Sequence, residues 1–243
     1  MELYEELAPL RRRLAKACRI LGKLDVTKST FGHISARVPG QDLLLIRARG
    51  PGESGVRYTG DDDVILVDFS GRMVAGKEGL SVPKEVFIHT ALFKARPELG
   101  SVLHAHPLTV VLFSIVDKPL LPLIGAYDPS CLALATEGIP QYPSSVLIAD
   151  EQLGKSLADV IKGSRTCVMR SHGITTCGPT IEAATLNAIW LNDLAEINYR
   201  ARLLGEPRPI SPEDLKSFEK VNVGDLSSYW RYYSRVTGEP EDV

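Results

Sequence analysis

Ser101-Val102-Leu103-His104-Ala105-His106-Pro107 is an apolar run that stops on two histidines one residue apart. Ser101 to Leu103 read as a buried strand running into the histidines, and a helix follows to about Val116. Alternate strand residues point to one side, so the imidazoles of His104 and His106 can reach one cation. A second buried strand, Thr166 to Met169, ends in Ser171-His172-Gly173. Strand ends that feed loops are where α/β sheets gather functional groups. Three imidazoles with one position left open describe a catalytic metal site, not a closed structural one. The competing reading is that each histidine caps or packs locally.

The remaining elements alternate around these strands. Leu3 to Leu24 are expected to form a first amphipathic helix, with Leu7, Leu10, Leu14, Cys18 and Leu21 at three- and four-residue steps. Ile34 to Val38, Leu43 to Ile46, Val64 to Val67 and Met73 to Val74 read as short strands between glycine- and proline-marked turns. Pro83 to Arg96, Asp150 to Ile161 and Thr180 to Leu204 read as helices, while Leu121 to Ile124 and Ser144 to Ile148 look extended. Strands interleaved with helices predict one three-layer α/β domain over residues 1–243, with 206–243 as a C-terminal extension.

Composition narrows the function classes. The 243 residues are 44% hydrophobic and 24% charged, with 28 basic and 30 acidic side chains and a net charge of −2. Such a chain can bury a core, and no basic excess draws it to nucleic acid or an anionic membrane. Four scattered cysteines form no disulfide framework and no zinc pattern, so they are expected to be idle thiols in a reducing compartment. The acids Glu2, Glu5 and Glu6 precede Arg11 to Arg13, the reverse of a signal peptide, and no apolar run is long enough to cross a bilayer. The expectation is a cytoplasmic protein.

Glu85 and His89 lie four apart on the second helix and therefore share a face. Near the helix start the dipole favours an ionised carboxylate, so Glu85 can serve as a fourth ligand, a proton shuttle, or both in turn. An ordinary surface helix pair is the alternative.

Four segments together resemble the class II aldolase/adducin family. They are Gly32-His33-Ile34-Ser35-Ala36-Arg37, Lys84-Glu85-Val86-Phe87-Ile88-His89, Ala95-Arg96-Pro97 with the Ser101 to Pro107 run, and Arg170-Ser171-His172-Gly173. The resemblance covers roughly residues 5 to 205. It implies an αβα sandwich around a mostly antiparallel sheet, with His104, His106 and His172 as ligands of one divalent ion per subunit and Glu85 as the acid/base residue. Manganese, zinc, iron and cobalt all suit such a site. It also implies a homotetramer, or a multiple of one, with active sites at subunit interfaces.

The chain departs from the sugar-phosphate aldolases of that family where they bind phosphate. Their Gly-Asn-x-Ser becomes Gly32-His33-Ile34-Ser35, their Thr-Gly resembles Arg49-Gly50, and their Ser-Ser before the glutamate becomes Pro83-Lys84. Proline offers neither hydroxyl nor N–H, so that phosphate cradle is absent. Arg49, Lys84, His33 and Ser35 remain to bind an anionic substrate, with His33 read as a further donor. Of Arg47 and Arg49, one is expected to be a surface charge. The pattern looks like the decarboxylase branch of the family, which implies a small carboxylate substrate, most concretely a dihydroxyphthalate, in aromatic-compound catabolism. An aldolase-type lyase acting on a hydroxy acid or sugar derivative is the alternative, and a non-catalytic, adducin-like module is a third reading. Tyr229, Trp230, Tyr232 and Tyr233 must cover apolar surface. They either pack on their own subunit or, as the resemblance implies for Tyr229, close a neighbour's active site.

Overall fold

The computed structural model describes residues 2–53, 55–218 and 225–239. Its strands are β1 (His33–Arg37), β2 (Leu43–Arg47), β3 (Val64–Asp68), β4 (Met73–Ala75), β5 (Ser101–Ala105), β6 (Gln141–Tyr142), β7 (Thr166–Met169) and β8 (Gly173–Gly178). They form one sheet in the order β4-β3-β2-β1-β5-β8-β7-β6. Every pairing is antiparallel except β6 with β7. The helices are α1 (Glu2–Glu6), α2 (Ala8–Lys23), α3 (Val86–Ala95), α4 (Leu108–Ile115), α5 (Pro129–Glu137), α6 (Glu151–Ile161), α7 (Ile181–Leu204), α8 (Pro212–Phe218) and α9 (Leu226–Val236).

Strand alternation splits the core in two. Ile34, Ala36, Leu103, Ala105 and Ile174 face one side and pack with α2, α7 and Trp230 of α9. Leu44, Ile46 and Val102 face the other side and pack with Ile88 and Leu92 of α3 and Leu157 of α6. Burying each such side chain contributes about 1.5–3 kcal/mol. The result is the expected αβα sandwich around a mostly antiparallel sheet. The four cysteines are free and buried, as expected.

Several expectations are corrected. The first helix breaks at Leu7, because Pro9 has no N–H with which to continue the ladder from α1 into α2. The second helix starts at Val86 and not Pro83, which makes Glu85 its N-cap residue. Leu121 to Ile124 join no strand; the Asn198 side chain instead accepts from Leu121 N–H and donates to its carbonyl. Ser144 to Ile148 form a loop, since Pro143 cannot extend the ladder that β6 begins. Strand β8 and helix α5 were not foreseen. The Asp128-Pro129 start of α5 was legible, for the Asp128 side chain accepts from Ser130 and Cys131 N–H. Of the C-terminal extension, residues 219–224 and 240–243 lie outside the described residues.

Two arginines of the singled-out segments hold the scaffold. Arg37 donates to the carbonyls of Phe93 and Leu99, tying β1 to the end of α3. Arg47 is 1% exposed and is no surface charge. It donates to the carbonyls of Thr30 and Gly32, to Thr59 Oγ1 and to Glu53. It thereby clamps the turn that leads into His33. Arg47→Met removes a buried cation and strands those acceptors, and should cost about 3 kcal/mol. For a chain of this size that is a Tm drop of roughly 6–12 °C. A thermal melt within 1 °C of the parent would show that the clamp contributes nothing.

Candidate active site

Register brings the singled-out residues to one end of the sheet. In the β1–β5 pairing His33 lies opposite His104. In the β5–β8 pairing Ala105 lies opposite Ile174, so the turn from β7 into β8, which carries His172, sits beside His106. Glu85 arrives from the α3 side. Ligand atoms of Glu85, His104, His106 and His172 all lie within 4.8 Å of one another. His104 Nε2 is 2.8 Å from His106 Nε2 and 3.4 Å from Glu85 Oε2, and His172 Nε2 is 3.5 Å from Glu85 Oε1.

The turn bearing His172 is held tightly. Ser171 adopts a left-handed backbone (φ 54°), a cost tolerated only where surroundings impose it. Its N–H donates to Ser114 Oγ of α4 at 2.9 Å. Gly173 follows with no room for a side chain: a Cβ there would collide with the Ala105 carbonyl oxygen and lie 2.7 Å from His106 Cδ2. The glycine is what lets β8 slide under both histidines.

The donor set suits a divalent cation. His104 Nδ1 faces the Ile174 carbonyl at 2.9 Å and must donate to it. That leaves Nε2 as a lone pair turned toward His106 and Glu85, the backbone-oriented arrangement of a metal-ligating imidazole. His172 Nδ1 is buried with no hydrogen-bond partner. Burial and the neighbouring His104 and His172 rings push the basicity of His106 down to about 3, so it too presents a lone pair. Three imidazoles and a carboxylate are a borderline-soft set that suits zinc or manganese-type ions.

Glu85 is ionised for a different reason than its helix position suggested. Burial pushes its carboxyl up, but the His104 and His172 side chains beside it and a hydrogen bond from the Ile148 N–H (3.0 Å to Oε1) hold it well below the usual range. Its side chain makes no capping bond to the helix. The Ile148 contact, from the loop after β6, had no signal in the sequence.

The other expected residues divide. His33 is buried beside the cluster, its ring centroid 5.3 Å from that of His104. Arg49 is half-buried and paired with Glu53 at 2.9 Å, and its charge is felt at His33 and His106. Lys84 is exposed. Ser35 is 0% exposed, with Oγ 2.7 Å from His89 Nδ1, so it stands behind His89 and not against the cavity. His89 is likewise fully buried and is no surface helix residue. Tyr229 packs edge-on against Trp190 at 5.4 Å, on the α7 side of the sheet and on its own subunit. The structure does not bring it to the cluster of its own chain.

If these residues form the metal centre, Gly173→Ala should weaken divalent-metal binding by roughly 10-fold or more without loss of secondary structure. Elemental analysis after dialysis, with circular dichroism as the control, measures this. A His104→Ala/His172→Ala double variant that retains full metal would overturn the assignment.

Comparison with known proteins agrees with this geometry. Residues 12–199 match the model of the Class II Aldolase and Adducin N-terminal domain. The chain is 35% identical over 222 residues to 3,4-dihydroxyphthalate decarboxylase of Arthrobacter keyseri, covering 90% of this chain and 88% of that one. It is 34% identical to the enzyme of the same name from Terrabacter sp. (strain DBF63), covering 91% and 94%. In fold it resembles L-fuculose 1-phosphate aldolase from Glaciozyma antarctica PI12, with a TM-score of 0.79 at 24% identity over 96% of this chain and 91% of that one. The chain belongs to the class II aldolase and adducin family.

Proposed function

We propose that this protein is a divalent-metal-dependent carboxy-lyase acting on a hydroxylated aromatic dicarboxylate of the dihydroxyphthalate type. The observation that carries the reading is a buried glutamate set among three imidazoles, preceded by Pro83-Lys84 where the family resemblance leads one to expect phosphate-binding serines. Relatives that are 34–37% identical to the chain are named as 3,4-dihydroxyphthalate decarboxylases.

His104, His106 and His172 would hold the cation, with Glu85 close enough to join them. A bound divalent ion supplies Lewis-acid stabilisation of the negative charge that decarboxylation leaves on the ring and its ortho oxygen. Arg49 and Lys84 supply positive charge for the carboxylate that stays, holding the ring in register. Glu85, ionised at rest, takes the proton of the ortho hydroxyl as the substrate binds and returns it to the ring carbon that loses CO₂. The buried setting keeps bulk water from that carbanionic carbon until the proton arrives.

The direct test is CO₂ release from a panel of hydroxylated phthalates and pyridine dicarboxylates by the metal-loaded protein. Activity on an ortho-hydroxy dicarboxylate is expected, and a panel-wide blank overturns the reading. Glu85→Gln keeps the shape and removes the titrating carboxylate. It should lower kcat by about 10² or more. Unchanged turnover would remove Glu85 from the proton path.

A further inference from the structure

Behind the Glu85–histidine cluster lies a second polar constellation. Ser35 Oγ is 3.3 Å from the Val102 carbonyl oxygen and 2.7 Å from His89 Nδ1, and His89 Nε2 is 2.7 Å from His33 Nδ1. Ser35 and His89 are both fully buried. This chain of groups has a definite direction. A carbonyl oxygen only accepts, so the Ser35 hydroxyl donates to Val102 and offers a lone pair to His89. His89 therefore carries its proton on Nδ1 and leaves Nε2 bare. His33 must then donate from Nδ1, which leaves its own Nε2 bare. With Nδ1 turned to His89, Nε2 is the ring nitrogen left over, and the ring lies beside that of His104, their centroids 5.3 Å apart.

We propose that His33 is a hydroxyl-selecting residue. Its Nε2, held as a lone pair by the His89–Ser35–Val102 chain, accepts a hydrogen bond from the substrate hydroxyl that is not adjacent to the departing carboxylate. His89 and Ser35 are positioning residues that fix the tautomer. The assignment rests on the functional reading above and deepens it. It also reverses the expectation that His33 supplies a donor. A bare imidazole nitrogen repels a carboxylate or phosphate oxygen and rewards an O–H, whereas the asparagine of the sugar-phosphate aldolases has an amide N–H to give. On a dihydroxyphthalate the hydroxyl next to the departing carboxylate gives its proton to Glu85. The second hydroxyl keeps its proton and can donate it to His33.

Two measurements on the full-length, zinc-loaded protein test this. Long-range ¹⁵N–¹H spectra of ¹⁵N-histidine-labelled protein, with His33 assigned by its substitution, should show Nδ1 protonated and Nε2 bare. His89→Leu should release His33 into a mixture of tautomers, and His89→Gln, whose amide oxygen can still accept, should restore the parent pattern. If His89→Leu does not fold, Ser35→Ala supplies the milder perturbation of the same chain. The second measurement compares CO₂ release from 3,4-dihydroxyphthalate and from 3-hydroxyphthalate, which lacks the second hydroxyl. His33→Phe should lower kcat/KM on the dihydroxy compound by at least about 10-fold more than on the monohydroxy compound. A protonated Nε2, or an equal loss on both compounds, overturns the proposal. If the parent protein turns over neither compound, the carboxy-lyase reading falls, and the spectra still uphold or overturn the acceptor state of His33.

Discussion

Antiparallel pairing of β5 with β1 on one side and β8 on the other is the constraint on which the site depends. It sets His33 against His104 and brings the start of β8 beneath His106. A one-residue slip in either ladder would turn His104 from the α3 side of the sheet to the α7 side. The register is protected by the two separate cores, since the same slip would expose Leu103 to the wrong layer and bury the polar alternates. Packing that looks remote from the chemistry therefore determines the ligand geometry.

The site concentrates polar groups where water is scarce, and each group has an identifiable restraint. His104 is oriented by the Ile174 carbonyl, Glu85 by the Ile148 N–H, and the His172 turn by Ser114. The turn into His33 is clamped by Arg47. Buried polar side chains of this kind are costly unless paired, and the pairing in turn limits each to one arrangement. Rigid donors on strand ends and short turns hold geometry better than the same donors on a long loop. Arg49 is instead half-buried and Lys84 exposed.

The fold is shared with sugar-phosphate aldolases, so it does not by itself choose a reaction. Three imidazoles and a glutamate around a cation can serve either an aldol cleavage or a decarboxylation, because both leave negative charge that a cation can stabilise. What differs is the surrounding pocket. By the family resemblance, Pro83-Lys84 and His33 stand where the sugar-phosphate aldolases present small hydroxyl and amide groups, and these departures are visible as residues before any geometry is considered.

Much of the arrangement was therefore legible in the chain alone. The apolar run ending in His104-Ala105-His106, the Ser171-His172-Gly173 turn and the helical periodicities placed three ligand candidates on strand ends of an αβα sandwich, because side-chain alternation and capping are local properties. Glu85 was singled out by its spacing from His89 and given its role by the family resemblance, but the reason for its ionisation was misread. Its N-cap position mattered less than the His104, His172 and Ile148 groups around it, which lie far off in the chain. Burial of His89 and Arg47, the inward turn of Ser35 and the packing of Tyr229 on Trp190 were likewise not readable. Local pattern specifies which residues face one side of an element. Which partner meets them there depends on contacts between segments tens of residues apart, and only the closed sheet with its two helical layers decides those.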